Sequence, residues 1–157
     1  MEFSELDTVD LQLLDALQQD ASLSNVALAE RVHVSPPTCL RRVKRLVDGG
    51  WVERQVAILS RDKLAHGLQA LVEVTLDHQA AEHLDAFETR AVADEAVQQC
   101  WRVSPGPDFV LVIHASDMPA YLAVTQRLFT RDANVRNVKA FFATKRAKFG
   151  TQIALPR

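Results

Sequence analysis

The chain has 157 residues, of which 48% are hydrophobic, and its formal net charge at pH 7 is −2. This length supports two small domains, each with its own core. Two cysteines and no apolar run long enough to cross a membrane exclude a disulfide scaffold and a membrane protein, so we expect a cytoplasmic chain with reduced thiols and no signal peptide.

The first thirty-five residues predict two short helices and a turn. Asp7-Thr8 can cap a first helix that ends near Asp20, and Ser24 can cap a second helix that ends near Val32. Residues 32–34 then form a brief connection to a third, basic helix. This order is typical of a helix-turn-helix, in which the second helix of the pair enters the major groove of DNA.

The basic helix is the most informative segment of the sequence. Ser35 is a good N-cap, Pro36 suits a first helical position, and Gly49-Gly50 ends the helix. Spacings of three and four residues predict one buried stripe made of Cys39, Leu40, Val43, Leu46 and Val47. Residues 31–47 include five Arg or Lys residues and no Asp or Glu, so the basic charge is concentrated here. We therefore predict a DNA recognition helix.

Candidate DNA contacts follow from positions along this helix. The N-terminal end usually enters the groove deepest, which favours base contacts by Pro37, Thr38 and Arg41 and phosphate contacts by Lys44 and Arg45. The full set of predicted DNA-binding residues is Ser35, Pro37, Thr38, Arg41, Arg42, Lys44 and Arg45. A solvated amphipathic surface helix would show the same pattern, and a protein or RNA partner is a further alternative.

The rest of the chain predicts a second domain with an internal repeat. After an extended strand at 52–58 and a connector at 60–67, the order strand, helix, strand occurs twice. The predicted strands are 68–76, 96–104, 108–115 and 135–145, and the predicted helices are 80–92 and 117–130. Helical spacing predicts an inner face for each helix, made of Leu84, Phe87 and Val92 in the first and of Tyr121, Leu122, Thr125, Leu128 and Phe129 in the second. The expected α+β fold is an N-terminal winged-type helix-turn-helix domain (1–51), a strand and linker (52–67) and a C-terminal ferredoxin-like βαββαβ sandwich (68–157).

Both faces of the predicted sheet carry apolar side chains. Phe109, Leu111 and Ile113 alternate with Val110 and Val112 along one strand, so neither face of this strand is polar. Trp101 and Phe141 add bulky apolar surface. Helices cover only one face, so we expect a second subunit on the other, with the chain's own tail (147–157) as the alternative cover.

Spaced motifs in both halves of the chain together point to one known family. The motifs of the first half are Leu6-Asp7, Asp10, Leu13-Leu14, Leu17-Gln18, Asp20, Ser24-Asn25, Leu28-Ala29, Val32, Ser35-Pro36, Arg42-Val43, Arg45-Leu46 and Gly50. Those of the second half are Leu71-Val72-Glu73-Val74-Thr75-Leu76, Val103-Ser104, Asp108-Phe109 and Asp117-Met118-Pro119-Ala120-Tyr121. In this order they closely resemble the Lrp/AsnC transcriptional regulators. The resemblance covers nearly the whole chain and implies a DNA-binding regulator that dimerises through its sheet domain and assembles further, commonly to octamers.

The same resemblance implies a small-molecule effector, usually an amino acid, that binds between dimers. By that resemblance the predicted effector-binding residues are Arg102, Ser104, Gly106, Asp108, Asp117, Met118, Phe141, Phe142 and Ala143. Many relatives have Val-Ser-Gly-Asp-x-Asp-Tyr where this chain has Val103-Ser104-Pro105-Gly106-Pro107-Asp108-Phe109. The two prolines remove N–H donors, which predicts a changed or weakened amino-acid response, and Asp108 can pair with an ammonium group or cap a turn.

An enzyme is the rival interpretation from another functional class. Ferredoxin-like domains sometimes host catalysis, and the chain has five histidines. These histidines are scattered, and none has the cysteine or carboxylate spacing of a metal site. The sequence also contains no Gly-rich phosphate loop and no nucleophile motif. We therefore expect no catalytic residues, no metal and no cofactor.

Overall fold

The computed structural model describes residues 6–64 and 67–156. The chain divides into two compact units, which we call the helical unit and the sheet unit. The helical unit is Met1–Ile58 with the tail Lys148–Arg157, and the sheet unit is Leu59–Ala147. The predicted boundaries at residues 1 and 157, and residues 65–66 of the predicted linker, lie outside the described residues.

Three helices build the described part of the helical unit, each with the cap that the sequence predicts. Helix α1 (Thr8–Gln19) is capped by Asp7, α2 (Asn25–Arg31) by Ser24, and α3 (Pro36–Asp48) by Ser35. Each capping side chain accepts a hydrogen bond from a backbone N–H of the first turn. Gly50 follows α3 with φ 75°, a conformation that L side chains rarely adopt, so the double-glycine stop is confirmed.

Fewer residues of α3 are buried in the core of the helical unit than the predicted stripe contains. Cys39 and Leu46 are fully buried with residues of α1 and α2, and Trp51 packs against this cluster. Leu40 and Val47, however, are exposed, so their assignment to the buried stripe was wrong. One turn is 3.6 residues, so three- and four-residue spacings cover a wide arc of the helix. The two neighbouring helices bury only part of this arc.

The sheet unit confirms the ferredoxin-like repeat and thus the α+β class. Its strands are β1 (Leu68–Leu76), β2 (Val97–Arg102), β3 (Phe109–Ala115) and β4 (Val135–Phe142). They form one antiparallel sheet in the order β2-β3-β1-β4. Helix α5 (Ala81–Ala93) follows β1, and α6 (Met118–Thr125) follows β3 and continues as a π-helical turn, Gln126–Thr130. A short helix, α4 (Arg61–Leu64), precedes β1.

One face of this sheet packs on α5 and α6. Phe109 of β3 and Phe87 of α5 are fully buried, with ring centroids 4.8 Å apart. Two residues predicted on the inner faces of these helices, Val92 and Leu122, are instead exposed. Val124, which the helical pattern did not single out, is buried in place of Leu122. The core of the sheet unit is therefore continuous, but α5 and α6 do not turn all of the predicted side chains toward the sheet.

The predicted strand at 52–58 is absent from the described structure. Residues 53–60 form neither helix nor strand, and Val56 and Ile58 are exposed. Alternating apolar residues form a strand only when a neighbouring strand accepts and donates backbone hydrogen bonds, and no described residue does so here.

The C-terminal tail from Lys148 groups with the helical unit. Gln18 of α1 donates a side-chain hydrogen bond to the Ile153 carbonyl oxygen at 3.0 Å and accepts one from the Ile153 N–H at 3.0 Å. These two hydrogen bonds tie the tail to α1.

Candidate functional site

The start of α3 is fixed by polar contacts of its first residues. The Ser35 hydroxyl accepts a hydrogen bond from the Thr38 N–H at 3.4 Å and lies 2.8 Å from the Thr38 hydroxyl. The Asn25 side chain of α2 donates to the Pro36 carbonyl oxygen at 2.9 Å. These contacts hold the N-terminal turn of the recognition helix against α2. The hydroxyls of Ser35 and Thr38 therefore help to build the helix start, and each hydroxyl keeps further hydrogen-bonding capacity.

Asp7 and Asp10, at the start of α1, pair with Arg42 and Arg45 on one flank of α3, and we call these four residues the clamp. Asp10 is 1% exposed and forms ion pairs with Arg42, at 2.9 Å, and with Arg45. Arg42 also pairs with Asp7 at 2.6 Å. Asp7 and Asp10 simultaneously form the capping box of α1, in which each side chain accepts a hydrogen bond from the other's N–H. The clamp therefore joins the start of the first helix to the middle of the third.

The clamp also shifts the pKa values of Asp7 and Arg42. The Asp10 N–H and the Arg42 guanidinium hold the pKa of Asp7 below its ordinary value. The hydrogen bonds to Asp7 and Asp10 raise the pKa of Arg42. Both groups are thus charged at neutral pH.

The clamp divides the predicted DNA-binding residues into two groups. Arg42 is only 24% exposed and uses its guanidinium within the chain, whereas Arg45 is paired but more than half exposed. Arg41 and Lys44 are exposed, and no described residue pairs with either. Pro37 is also exposed. The free part of the basic face is therefore centred on Pro37, Arg41 and Lys44.

Sequence reasoning missed Asp10 as a functional residue, although it was noted as part of a family motif. The only local signal was its position three residues after Asp7, the spacing of a capping box. Its arginine partners lie 32 and 35 residues away, so no local pattern could have indicated the pairing.

The predicted effector residues Arg102, Ser104, Gly106 and Asp108 lie at one end of the sheet. Asp108 accepts a hydrogen bond from the Leu76 N–H at 2.7 Å and donates its own N–H to Val74 at 2.9 Å, which ties the loop to the end of β1. The Asp108 carboxylate thus binds the backbone of β1 in this chain, a role different from the two that were predicted. Within the same loop Gly106 is exposed and has φ 126°, which favours glycine.

Arg102 lies beside this loop in a network with α5. Its guanidinium donates to Asp85 at 2.6 Å and to Glu88 at 2.6 Å, and it lies over the Phe109 ring at 5.7 Å from the centroid. The acidic partners raise the pKa of Arg102, with the hydrogen bond to Asp85 as the largest cause. In this chain Arg102 therefore joins this end of the sheet to α5.

The other predicted effector residues lie at the opposite end of the sheet. Asp117 caps α6 by accepting the Ala120 N–H at 2.7 Å, and Met118 next to it is exposed. Phe142 packs edge-on against Tyr121 with centroids 5.0 Å apart, and Phe141 is exposed. The Ala143 N–H donates to the Gln69 carbonyl oxygen at 2.8 Å. This second group surrounds the start of β1 and the start of α6.

The strand register shows that one chain does not bring the two groups together. Phe142 pairs with Ala70 near the start of β1, whereas Asp108 bonds to Val74 and Leu76 at its end. The six residue steps from Ala70 to Leu76 span about 20 Å of strand. We call the two groups the loop end and the helix end. They can form one ligand site only if different chains contribute them.

The face of the sheet opposite the helices carries a row of apolar side chains, which we call the outer face. The register aligns Val112 of β3, Leu71 of β1 and Phe141 of β4 across the sheet, and Trp101 of β2 pairs with Val110. Trp101 is 58% exposed, and Leu71 and Phe141 are also exposed. No element of the sheet unit among residues 59–64 and 67–147 covers this row, as the exposure of its members shows.

A search of the described residues finds no group of three or more His, Cys, Asp or Glu side chains that could hold a metal ion. No described helix is long and apolar enough to cross a membrane. Both cysteines are free, and burial raises the pKa of the Cys39 and Cys100 thiols, so both stay protonated at neutral pH.

Comparisons with known proteins agree with this architecture over nearly the whole chain. A winged helix-turn-helix DNA-binding family matches residues 6–53, and the Lrp/AsnC ligand binding domain matches residues 69–153. An HTH-type transcriptional regulator of Haemophilus influenzae is 35% identical over 96% of this chain and 89% of its own length. The leucine-responsive regulatory protein of Rhizobium meliloti is 34% identical over 96% of this chain and 97% of its own length.

Solved structures give the same result. A transcriptional regulator of Neisseria meningitidis, solved as a complex with L-Met, matches with a TM-score of 0.87 and 31% identity over 95% of this chain and 96% of its own. The matched domains bind DNA and a ligand and are those of transcriptional regulators rather than enzymes. The chain therefore belongs to the Lrp/AsnC family of DNA-binding, ligand-responsive transcriptional regulators.

Proposed function

We propose that the chain acts in the cytoplasm as a homodimer that places α3 of each protomer in the major groove of double-stranded DNA. The observation that carries this proposal is the division of the basic face of α3. Asp10 holds Arg42 and Arg45 on one flank, while Arg41 and Lys44 stay exposed and unpaired among the described residues. A preorganised helix with free cations matches the phosphates and base edges of a groove.

The proposed roles follow from this division. Pro37, Thr38 and Arg41 lie at the N-terminal half of α3 and contact bases, with Arg41 suited to the O6 and N7 atoms of guanine. Lys44 and the exposed guanidinium of Arg45 contact phosphates. Ser35 caps the helix, and Arg42 positions α3 through Asp7 and Asp10.

The phosphate role is tested by measuring affinity for duplex DNA across salt concentrations. Lys44→Ala should weaken binding for all sequences and reduce the salt slope by about one. Arg131→Ala is the matched control, because Arg131 is an exposed cation of the sheet unit. A salt slope that Lys44→Ala leaves unchanged would remove Lys44 from the phosphate contacts.

We further propose an amino acid as the effector, bound where the loop end of one chain meets the helix end of another. The support is the L-Met complex of the Neisseria relative, together with the separation of about 20 Å between the two ends within one chain. A ligand that bridges two chains binds one assembly state better than another, and so changes DNA binding.

Two variants test whether the site is shared. Gly106→Val disturbs the loop end, because Gly106 has φ 126° and valine resists that conformation. Met118→Lys alters the exposed start of α6 at the helix end. Each variant alone should lose the thermal shift that L-Met or another common amino acid gives to the wild type.

Mixed assemblies of the two variants supply the decisive comparison. If two chains complete each site, co-expressed Gly106→Val and Met118→Lys chains form some sites with both halves intact and recover part of the shift. No recovery in the mixture, with assembly intact, would place the whole site in one chain. If no amino acid shifts the wild-type protein, the effector proposal fails while DNA binding stands.

The outer face supplies the dimer interface in this proposal. Leu71, Trp101 and Phe141 expose apolar side chains there, and a second copy would remove them from water. Family resemblance suggests further assembly of dimers, commonly to octamers, which would bring loop and helix ends of different dimers together.

A further inference from the structure

Leu40 is an apolar side chain exposed on the basic face of the recognition helix. It is 60% exposed, although the residue before it, Cys39, is completely buried. Leu40 is followed by Arg41, and Lys44 lies one helical turn further along the same side. Most of the surface of this large aliphatic side chain therefore stays in water in the folded chain.

The position of Leu40 on α3 matches the part of the helix that enters DNA. Leu40 is the fifth residue of α3, which begins at Pro36, so it lies in the N-terminal half. The ion pairs of Asp10 with Arg42 and Arg45 occupy the other flank of the helix. The flank that carries Leu40 therefore remains open when α1 and α3 are joined.

The charge around Leu40 identifies the occupant of this flank as a polyanion. Residues 31–47 contain five Arg or Lys residues and no acidic residue. Lys is depleted in protein–protein interfaces, whereas clusters of Lys and Arg are what neutralises the phosphates of DNA. Within the major groove, the only apolar group presented by a base is the C5 methyl of thymine.

We infer that Leu40 is a specificity-determining residue that packs against the 5-methyl group of a thymine in each half-site. The inference rests on the proposed insertion of α3 into the major groove and names one base type that the sites must contain. Arg41 would hydrogen-bond a neighbouring base edge while Leu40 excludes water from the methyl contact. Specificity then combines one polar and one apolar contact on consecutive residues.

The test removes the methyl group from DNA and the aliphatic side chain from the protein in turn. Duplexes are first selected from a random pool with the full chain, and each thymine of the selected site is then replaced singly by dU. At one thymine per half-site, replacement by dU should lower the affinity of the wild-type protein by about three- to five-fold, because the methyl contact is lost. Leu40→Ala should bind equally well to the dT and dU versions at that position.

Val47→Ala is the matched control. Val47 is also an exposed aliphatic residue of α3, but it lies two turns further toward the C-terminus. This variant should keep the full dT-to-dU response. Because Leu40 and Val47 are exposed, both variants should melt within about 1 °C of the wild type.

The outcomes separate this inference from the proposed function. A selected site without a methyl-sensitive thymine would overturn the role of Leu40 and leave the placement of α3 in DNA intact. A methyl response that persists in Leu40→Ala would do the same, since another residue would then make the contact. If the pool yields no enriched sequence, base reading by α3 fails, and the role of Leu40 fails with it.

Discussion

The recognition helix and the ligand-binding region differ in how much of each site a single chain completes. In the helical unit, one continuous segment carries the candidate DNA contacts, and Asp10 already holds its flank in place. In the sheet unit, the candidate ligand contacts come from three segments at opposite ends of the sheet. The candidate DNA contacts are thus preorganised within a protomer, whereas the proposed ligand site needs a second chain.

This difference indicates where regulation acts. In the proposed mechanism, a ligand that bridges two chains stabilises one arrangement of the chains, and the recognition helices change their spacing without changing their own structure. Variants in the sheet unit should therefore alter assembly and DNA affinity together, and variants in the helical unit should alter DNA binding alone.

The largest expected effect comes from placing a charge on the outer face. Leu71→Glu puts a carboxylate in the centre of the proposed dimer interface, where burial without a partner is costly. We expect monomers by light scattering and a loss of DNA affinity of a hundred-fold or more, on the order of the gain that bivalent binding provides.

Val92→Glu is the control for this charge. Val92 is exposed on α5, away from the outer face, so the variant should keep the assembly of the wild type. A Leu71→Glu protein that assembles normally would show that the outer face is not the interface.

The next effect concerns the clamp between α1 and α3. Asp10→Ala removes a buried carboxylate that pairs with two arginines, and we expect a loss of about 3 kcal/mol in the free energy of unfolding of the helical unit. Asp15→Ala, an exposed aspartate of the same helix, should cost under about 0.5 kcal/mol. Urea unfolding measures both, and similar values for the two variants would show that the clamp contributes little.

Removal of one base contact should have a smaller effect, which is confined to DNA binding. Arg41→Ala should weaken binding to the preferred site by about 1 to 3 kcal/mol and relax the preference at one base pair. The ligand-induced thermal shift should remain, because the sheet unit is untouched. Unchanged affinity in a fluorescence anisotropy titration would remove Arg41 from the DNA-binding residues.

The smallest effect concerns the pH dependence of the sheet unit. Asp94 accepts hydrogen bonds from Arg127 at 2.8 Å and from the Ala96 N–H at 3.0 Å, and the Arg127 bond is the main reason that its pKa is lowered. A carboxyl whose pKa is lower in the folded state stabilises the fold above its unfolded pKa, near 3.8, and loses this effect as pH falls through the folded pKa.

Asp94→Asn should therefore cost about 1 kcal/mol at pH 7 and progressively less below about pH 4. Urea unfolding at several pH values measures this difference, with the exposed Asp77→Asn as control. A cost that is the same at pH 3 and pH 7 would contradict the ionic role of Asp94.

The features that the sequence predicted well depend on neighbouring residues. Asp7, Ser24 and Ser35 were identified as helix caps because capping uses a side chain and an N–H three residues apart. The strands of the repeat were located for a similar reason, since alternation along one strand is a local pattern. Local rules therefore predicted the helices of the helical unit and the repeat of the sheet unit, but the same alternation also predicted a strand at 52–58 that the described structure lacks.

The features that the sequence missed depend on contacts between distant residues. Leu40 was assigned to the core because its spacing fits a buried stripe, but the packing of α1 and α2 sets which part of α3 is covered. Asp10 was not recognised as the partner of Arg42, 32 residues away. The distance between the loop end and the helix end depends on the strand order, which pairs the end of β4 with the start of β1. No pattern within one strand predicts that order.

Selection of binding sites from random duplex DNA tests the central claim most directly. Two preorganised recognition helices in one dimer should enrich inverted half-sites whose centres lie about 10 to 10.5 base pairs apart, and Leu71→Glu should lose this paired arrangement. Enrichment of a single asymmetric site, or of no sequence at all, would contradict the account of a dimer that reads DNA with α3.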